Sequence, residues 1–354
     1  MPVPIAGATR IRGYAVALGL ALLLACGPAA TQPEARPAPA QAQPAAGAAA
    51  AAPPARPAET QPATPAALHT VRIAVPGRGV AYLPLVVAEK HGILANYGLD
   101  ADIRPLRQDA ANAALAGGDV DYLTSTFGGV AGNSSGLAQI VVMVMTGRPQ
   151  HAIMAREPLQ SVQELRGKSL VADVRGGILD VMARLALQQA DVSPDEVSFV
   201  YAGTPESRLG LLLANQVDAG TMDLVSTIKA REQGYHEVLD LGKVISLPLN
   251  GLVTTPERIK EHPDEIRALT RAILEGTTYL RAHRDTAVQD IVDWSDVDAA
   301  LAGELYDLAR DSFTLDGRIS DAAMKTTIEA QVGYEPGTPI DLQRFVDWSL
   351  LPGS

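Results

Sequence analysis

The chain has almost no cysteine: Cys26 is the only one in 354 residues. Disulfides within the chain, and thiol catalysis by anything after Cys26, are therefore excluded. Between Thr70 and Ser354 there is no apolar run near the roughly 20 residues that a bilayer span requires. Positive charge is short as well. Lys and Arg total 29 against 40 Asp and Glu, a net charge of −11 with no basic stripe, which argues against nucleic acid as a partner. Acidity leaves a small-molecule ligand open, because a buried site can be locally positive. The six histidines (His69, His91, His151, His236, His262 and His283) form no H-x-x-H or H-E-x-x-H arrangement, and there is no C-x-x-C, so no metal site is visible. There is no P-loop. Gly77-Arg78-Gly79 begins like a dinucleotide fingerprint, but Tyr82 stands where the third glycine belongs. No catalytic residues and no cofactor are expected.

What is present begins at the N-terminus. Arg10 and Arg12 precede an apolar run from Tyr14 to Ala25, too short for a membrane span, and Leu23-Leu24-Ala25-Cys26 closes it. A basic start, a short apolar core and small residues at a cut are the layout of an export signal. With cysteine at the cut it resembles a bacterial lipoprotein signal. That resemblance implies a signal peptide over 1–25, removal of which shifts the net charge to −13, and lipidation of Cys26. Gly27–Leu68 is nearly all Ala, Pro, Gln, Thr and Gly. It has too few large apolar side chains to fold, and 26–69 reads as a disordered tether. As a coil it reaches roughly 35 Å. The expected location is the bacterial cell envelope, exported and lipid-anchored, facing the periplasm or cell exterior.

The remaining 285 or so residues suit two lobes rather than one core. Strand-like and helix-like segments alternate through the first part. Val71–Val75, Asp100–Pro105, Val120–Thr124 and Ile140–Thr146 read as strands, Leu83–His91 and Asp109–Ala116 as helices. The pattern recurs with strands Leu170–Asp173, Val197–Tyr201 and Asp218–Thr221 and helices Gly177–Gln189, Glu206–Ala214 and Leu224–Gln233. Ala114–Tyr122 (ALAGGDVDY) and Leu213–Gly220 (LANQVDAG) match each other, each a helix end, a polar turn and V-D entering a strand. Alternation of this kind predicts an α/β fold with mostly parallel sheets. After Ser246 the segments read as helices. Glu265–Arg281 places Ile266, Leu269, Ile273, Thr277 and Leu280 on one face, which predicts packing onto the first lobe.

Five phrases then occur in order: Tyr82–Leu99 (YLPLVVAEKHGILANYGL), ALAGGDVDY, Ser161–Gly177 (SVQELRGKSLVADVRGG), Leu212–Gly220 (LLANQVDAG) and Leu247–Leu269 (LPLNGLVTTPERIKEHPDEIRAL). Together they resemble the nitrate/sulfonate/taurine group of solute-binding proteins from ABC importers, which shares a superfamily with thiamin-pyrimidine synthases. The resemblance covers nearly all of Val71–Trp348. It implies a two-lobed periplasmic-binding-protein type 2 fold with two hinge crossings, near Gly147–His151 and Leu241–Leu249. Lobe 1 is expected over 70–147 plus 246–354, and lobe 2 over 148–245. It further implies a monomer that closes on a ligand and docks on an ABC permease. Fungal members of the superfamily carry a cysteine-rich motif for making the pyrimidine, which this chain lacks. A ligand-sensing or interaction lipoprotein without a permease, or an enzyme on the same fold, remain as alternatives.

Ligands of open α/β sheets bind at the carboxyl ends of strands. That rule selects Gly77, Arg78 and Tyr82 after the first strand, and Ser125, Thr126 and Phe127 after the third. In the middle lobe it selects Arg175, Gly176 and Gly177, then Thr204, then Asp223, and Gln150 and His151 stand at a crossing. The glycines permit close backbone approach. Helix N-termini attract anions, Arg78 and Arg175 are candidates to clamp a carboxylate or sulfonate, and Tyr82 and Phe127 to stack on a flat ligand. The two arginines tilt the expectation toward an organic anion over a vitamin precursor. Asp223 is equally a candidate cap for the next helix.

Overall fold

The structure is a computed structural model, and it describes residues 68–332 and 338–353. The signal peptide, Cys26 and the tether up to residue 67 lie outside the described residues.

Among the described residues, ten strands form two sheets. In chain order they are β1 (His69–Val75), β2 (Leu99–Pro105), β3 (Tyr122–Ser125), β4 (Ile140–Thr146), β5 (His151–Ala155), β6 (Ser169–Ala172), β7 (Ser198–Tyr201), β8 (Ala219–Asp223), β9 (His236–Asp240) and β10 (Asn250–Thr254). The first sheet has the order β2-β1-β3-β10-β4 and the second β7-β6-β8-β5-β9. In each, two adjacent pairings are parallel and two antiparallel. Four strands therefore run one way and the fifth is reversed. The reversed strand is the one that has just crossed from the other lobe: β5 follows β4, and β10 follows β9. The sheets are thus mixed where the alternation alone suggested mostly parallel pairing. β1 also starts earlier than expected, with His69 opposite Leu99 and Thr70 opposite Asp100.

The matching phrases make matching contacts. Asp121 accepts from the backbone N–H of Arg72 in the middle of β1, and Asp218 from that of Ser169 at the start of β6, both at 2.8 Å. Three residues on, Thr124 donates to the Ala74 carbonyl and Thr221 to that of Val171. The aspartate and the threonine thus tie β1 to the strand third in order in its sheet, β3, and likewise β6 to β8.

Each sheet is covered by helices. The long helix Pro263–Ala282 buries Ile266, Leu269, Ile273, Thr277 and Leu280, the face expected of it. Ile266, Leu269 and Ile273 pack with Val71, Ile73 and Leu252. In the second lobe Leu165, Leu170, Met182 and Leu187 form a separate core. A third cluster bridges the lobes, in which Ile228 of helix Leu224–Glu232 meets Val80, Leu83, Leu305 and Tyr306.

Two kinds of element depart from the sequence reading. β5, β9 and β10 are strands in stretches to which the sequence reading assigned no element, next to the two crossings. Thr126–Ser134 is a helix despite Gly128, Gly129 and Gly132. Glycine disfavours a helix on propensity, but here a Cβ at those positions would collide with Gln108, Val253 and Gln139 respectively. Close packing overrides the local preference.

Candidate ligand-binding site

A cavity of about 570 Å³ opens between the two lobes, within the ~300–1,000 Å³ usual for small-molecule sites. From the first lobe it is lined by the loop Pro76–Tyr82, by Ser125 and Phe127, by Leu249 and Asn250, and by Ser295, Val297 and Leu305. From the second come Gln150, His151, Ile178 and Asp223–Val225.

The polar centre of this wall consists of two equivalent pairs. Ser125 ends β3 and caps the helix after it, its Oγ accepting from the Gly128 N–H at 3.0 Å. Opposite it stands Asn250, the first residue of β10. Asp223 ends β8 and caps the helix Leu224–Glu232, its Oδ1 accepting from the Ser226 N–H at 3.1 Å. Opposite it stands His151, the first residue of β5. The same arrangement, a third-strand cap facing a crossing-strand start, thus occurs once per lobe. Both pairs line the one cavity.

Each side chain is held. Tyr82 is buried, and burial raises its phenol well above the ordinary value, so it stays protonated and donates to Asn250 Oδ1 at 3.1 Å. The Asn250 amide nitrogen is then the donor left for a ligand. Gln150 donates to Ser312 Oγ at 2.6 Å, fixing the crossing to the first lobe. The loop at Arg78 is strapped by Trp294, whose Nε1 donates to the Gly79 carbonyl, and by Ser295, whose hydroxyl donates to that of Arg78. The Arg78 guanidinium lies 5.6 Å from the Trp294 ring centre, within cation–π range.

His151 carries the clearest sign of an unmet contact. Its Nδ1 is buried and has no hydrogen-bond partner. Burial lowers its pKa to about 4, against the pull of Asp223 and with a smaller lowering from Arg208, so the ring is neutral near pH 7. Arg208, on helix Pro205–Leu213, lies 3.8 Å from Asp223 Oδ2 with its side chain 5% exposed. Burial also pulls this guanidinium below its ordinary value, against Asp223, Asp173 and Glu206.

Of the residues expected from sequence, Gly77, Arg78, Tyr82, Ser125, Phe127, Gln150, His151 and Asp223 meet at this cavity. Thr126, Arg175, Gly176, Gly177 and Thr204 are absent from its lining. Thr126 is buried behind Ser125. Arg175 lies over the Tyr201 ring at 5.4 Å. Gly176 donates its N–H to Asp180, and Gly177 packs against the Asp173 carboxylate. Thr204 caps the helix Pro205–Leu213 through Ser207. Asn250, Ile178, Val297, Leu305 and the supporting Arg208 were not anticipated. Asn250 had a signal in the strand-like string NGLVT that follows the second crossing. One G-x-S-x-G string, Gly132–Gly136, does occur, but it closes the helix Thr126–Ser134 rather than joining strand to helix. Ser134 there donates to the Val130 carbonyl.

Comparison with known proteins agrees with this fold. The family model described as NMT1/THI5 like matches residues 80–287. A riboflavin-binding protein, RibY, from Chloroflexus aurantiacus is 26% identical over 223 residues, which are 59% of this chain and 61% of that protein. Among solved structures, the periplasmic aliphatic sulphonate binding protein SsuA from Escherichia coli superimposes with a TM-score of 0.65 at 16% identity, covering 74% of this chain and 85% of that one. The desulfurization enzyme DszB does so with a TM-score of 0.57 at 14% identity, covering 80% and 97%. These likenesses establish the periplasmic-binding-protein fold. Among the described residues, no helix is long and apolar enough to cross a membrane.

Proposed function

Because the chain belongs to the NMT1/THI5-like family, we propose that it is a membrane-tethered receptor outside the cytoplasm, which captures a small solute between its lobes and delivers it to an ABC permease. The observation that carries this reading is the cavity, lined from both lobes by matched polar pairs in an otherwise largely apolar wall. A solute bound there touches both lobes at once, which favours the closed arrangement by its differential contacts. The relatives' named ligands, riboflavin and aliphatic sulphonates, define the classes to try first.

We read the site as binding rather than catalytic. Ser125 is engaged as a helix cap, and no hydroxyl lies within hydrogen-bond distance of His151 Nδ1. Cys26, the only cysteine, precedes the folded lobes. The proposal includes a lipid anchor at Cys26, a tether over 26–69, lobe 1 over 70–147 plus 246–354, lobe 2 over 148–245, and action as a monomer.

The test is titration of the full chain, purified in detergent, with riboflavin by fluorescence quenching and with sulfonates and pyrimidines by calorimetry. One-to-one binding at micromolar concentration or below is expected for one class. No binding across all classes would remove the receptor reading. Replacing Cys26 with serine should move the protein from the membrane to the soluble fraction of lysed cells, and retention in the membrane would remove the anchor.

A further inference from the structure

We propose that Asp223 sets the charge selectivity of this cavity, acting as a built-in anion that makes it a site for uncharged solutes. The inference rests on the reading of the cavity as a solute site and names what that site excludes.

The N-terminus of the helix Leu224–Glu232 is where a solute anion would gain most from unpaired N–H groups. Asp223 already occupies it, with Oδ1 on the Ser226 N–H and Oδ2 on the Ser226 hydroxyl at 2.9 Å. Behind Asp223 stands Arg208, buried, with its Nε lacking a hydrogen-bond partner. Its charge is answered by Asp223 at 3.8 Å. On this lobe the helix end and the buried cation are features that would attract an anion; Asp223 answers the first and, with Asp173 and Glu206 farther off, the second. The other polar groups of the wall, Ser125, Asn250, Gln150 and His151, are neutral near pH 7. Arg78, on the facing lobe, is the cation of the lining and lies against Trp294. An entering sulfonate or carboxylate would meet a fixed like charge in a partly desolvated space. An uncharged solute would instead find the donor of Asn250 and the unpartnered nitrogen of His151.

The first lobe supplies the control. At the equivalent position it carries Ser125, which caps its helix without charge. Serine and asparagine are both good caps, so Asp223→Ser and Asp223→Asn remove the charge and keep the helix start.

The experiment titrates the full chain and both variants with two matched pairs, riboflavin against flavin mononucleotide and 1-naphthalenesulfonamide against 1-naphthalenesulfonate. The wild type is expected to prefer the uncharged member by about tenfold or more, as a like charge at short range requires. Both variants should shift the preference about tenfold or more toward the charged member, read as the ratio of the two affinities within each protein. Adding Arg208→Gln to Asp223→Asn should remove the shift. Equal affinities for both members in the wild type, or variants that shift nothing, would overturn the assignment. If uncharged members bind and the shift is absent, only the charge assignment fails. If neither pair binds any of these proteins, the solute reading fails with it.

Discussion

The two lobes share a strand order and face the same cavity with different loops. After β1 the chain runs straight into the cavity wall as Pro76–Tyr82, held from outside by Trp294 and Ser295. After β6 the corresponding loop, Asp173–Gly177, turns inward on its own lobe. Asp173 accepts from the N–H groups of Leu179 and Asp180, and Gly176 donates to Asp180. Of that region Ile178 alone reaches the lining. At the third strands the lobes agree in position and differ in chemistry, with Ser125 and Asn250 on one side and Asp223 and His151 on the other. Repeated topology decides where a side chain stands. The residue installed there decides whether it binds, caps or repels.

That comparison can be broken in several places. The largest effect is expected at the second residue of the crossing strands, Gly251 in β10 and Ala152 in β5. A Cβ at Gly251 would overlap the Met143 carbonyl backbone, whereas the second lobe accommodates alanine. Gly251→Ala should cost about 3 kcal/mol or more by overpacking, seen as a lowered urea midpoint; an unchanged midpoint would mean that the two crossings tolerate the same residues.

His151 is next. Its pKa is lowered from 6.5 to about 4 in the folded state. The unfolded chain therefore takes up the proton first as pH falls, and stability present above pH 6.5 is lost toward pH 4. Asp223, Arg208 and Asp173 face the ring, so the comparison is with His151→Gln in the same background. The wild type should lose about 2 kcal/mol more than the variant across that window, measured by denaturation at stepped pH. Parallel curves would show that the ring is free to charge.

In the first lobe, Asn250→Ala should weaken binding of the solute that the titration identifies by about tenfold, through loss of one hydrogen bond and its Tyr82 partner, read in the same titration. An unchanged affinity would leave the second lobe's pair to act alone. The smallest effect is expected at Arg175→Ala, within about twofold of wild type, as for a surface side chain away from the site. A tenfold loss in the same assay would return the Asp173–Gly177 loop to the binding surface.

Much of the fold was legible because each signal was local. The V-D phrases marked the third strands, the apolar face from Ile266 to Leu280 marked the covering helix, and strand ends pointed to the Pro76–Tyr82 loop and Ser125. What was hidden depended on distant partners. Asn250 is placed at the cavity only by β3 and β4, which flank β10 on either side. The glycines of Thr126–Ser134 argue against a helix until Gln108, Val253 and Gln139 are seen against them. Val297 and Leu305 reach the cavity only through helix packing. Arg175 was selected and Arg208 was not, since nothing in the sequence says which arginine a neighbouring ring or carboxylate will take.

The exchange of strands between sheets has a consequence in time. Among the described residues, β4 joins its sheet by pairing with β10, which comes about a hundred residues later in synthesis. The second lobe needs nothing beyond itself, since β5 through β9 are contiguous in the chain. The half made first must therefore wait, with β4 unattached, for the half made second to be finished and passed. Long-range pairing of that kind is slow. The N-terminal lobe, though first out of the ribosome, is the last to close its sheet.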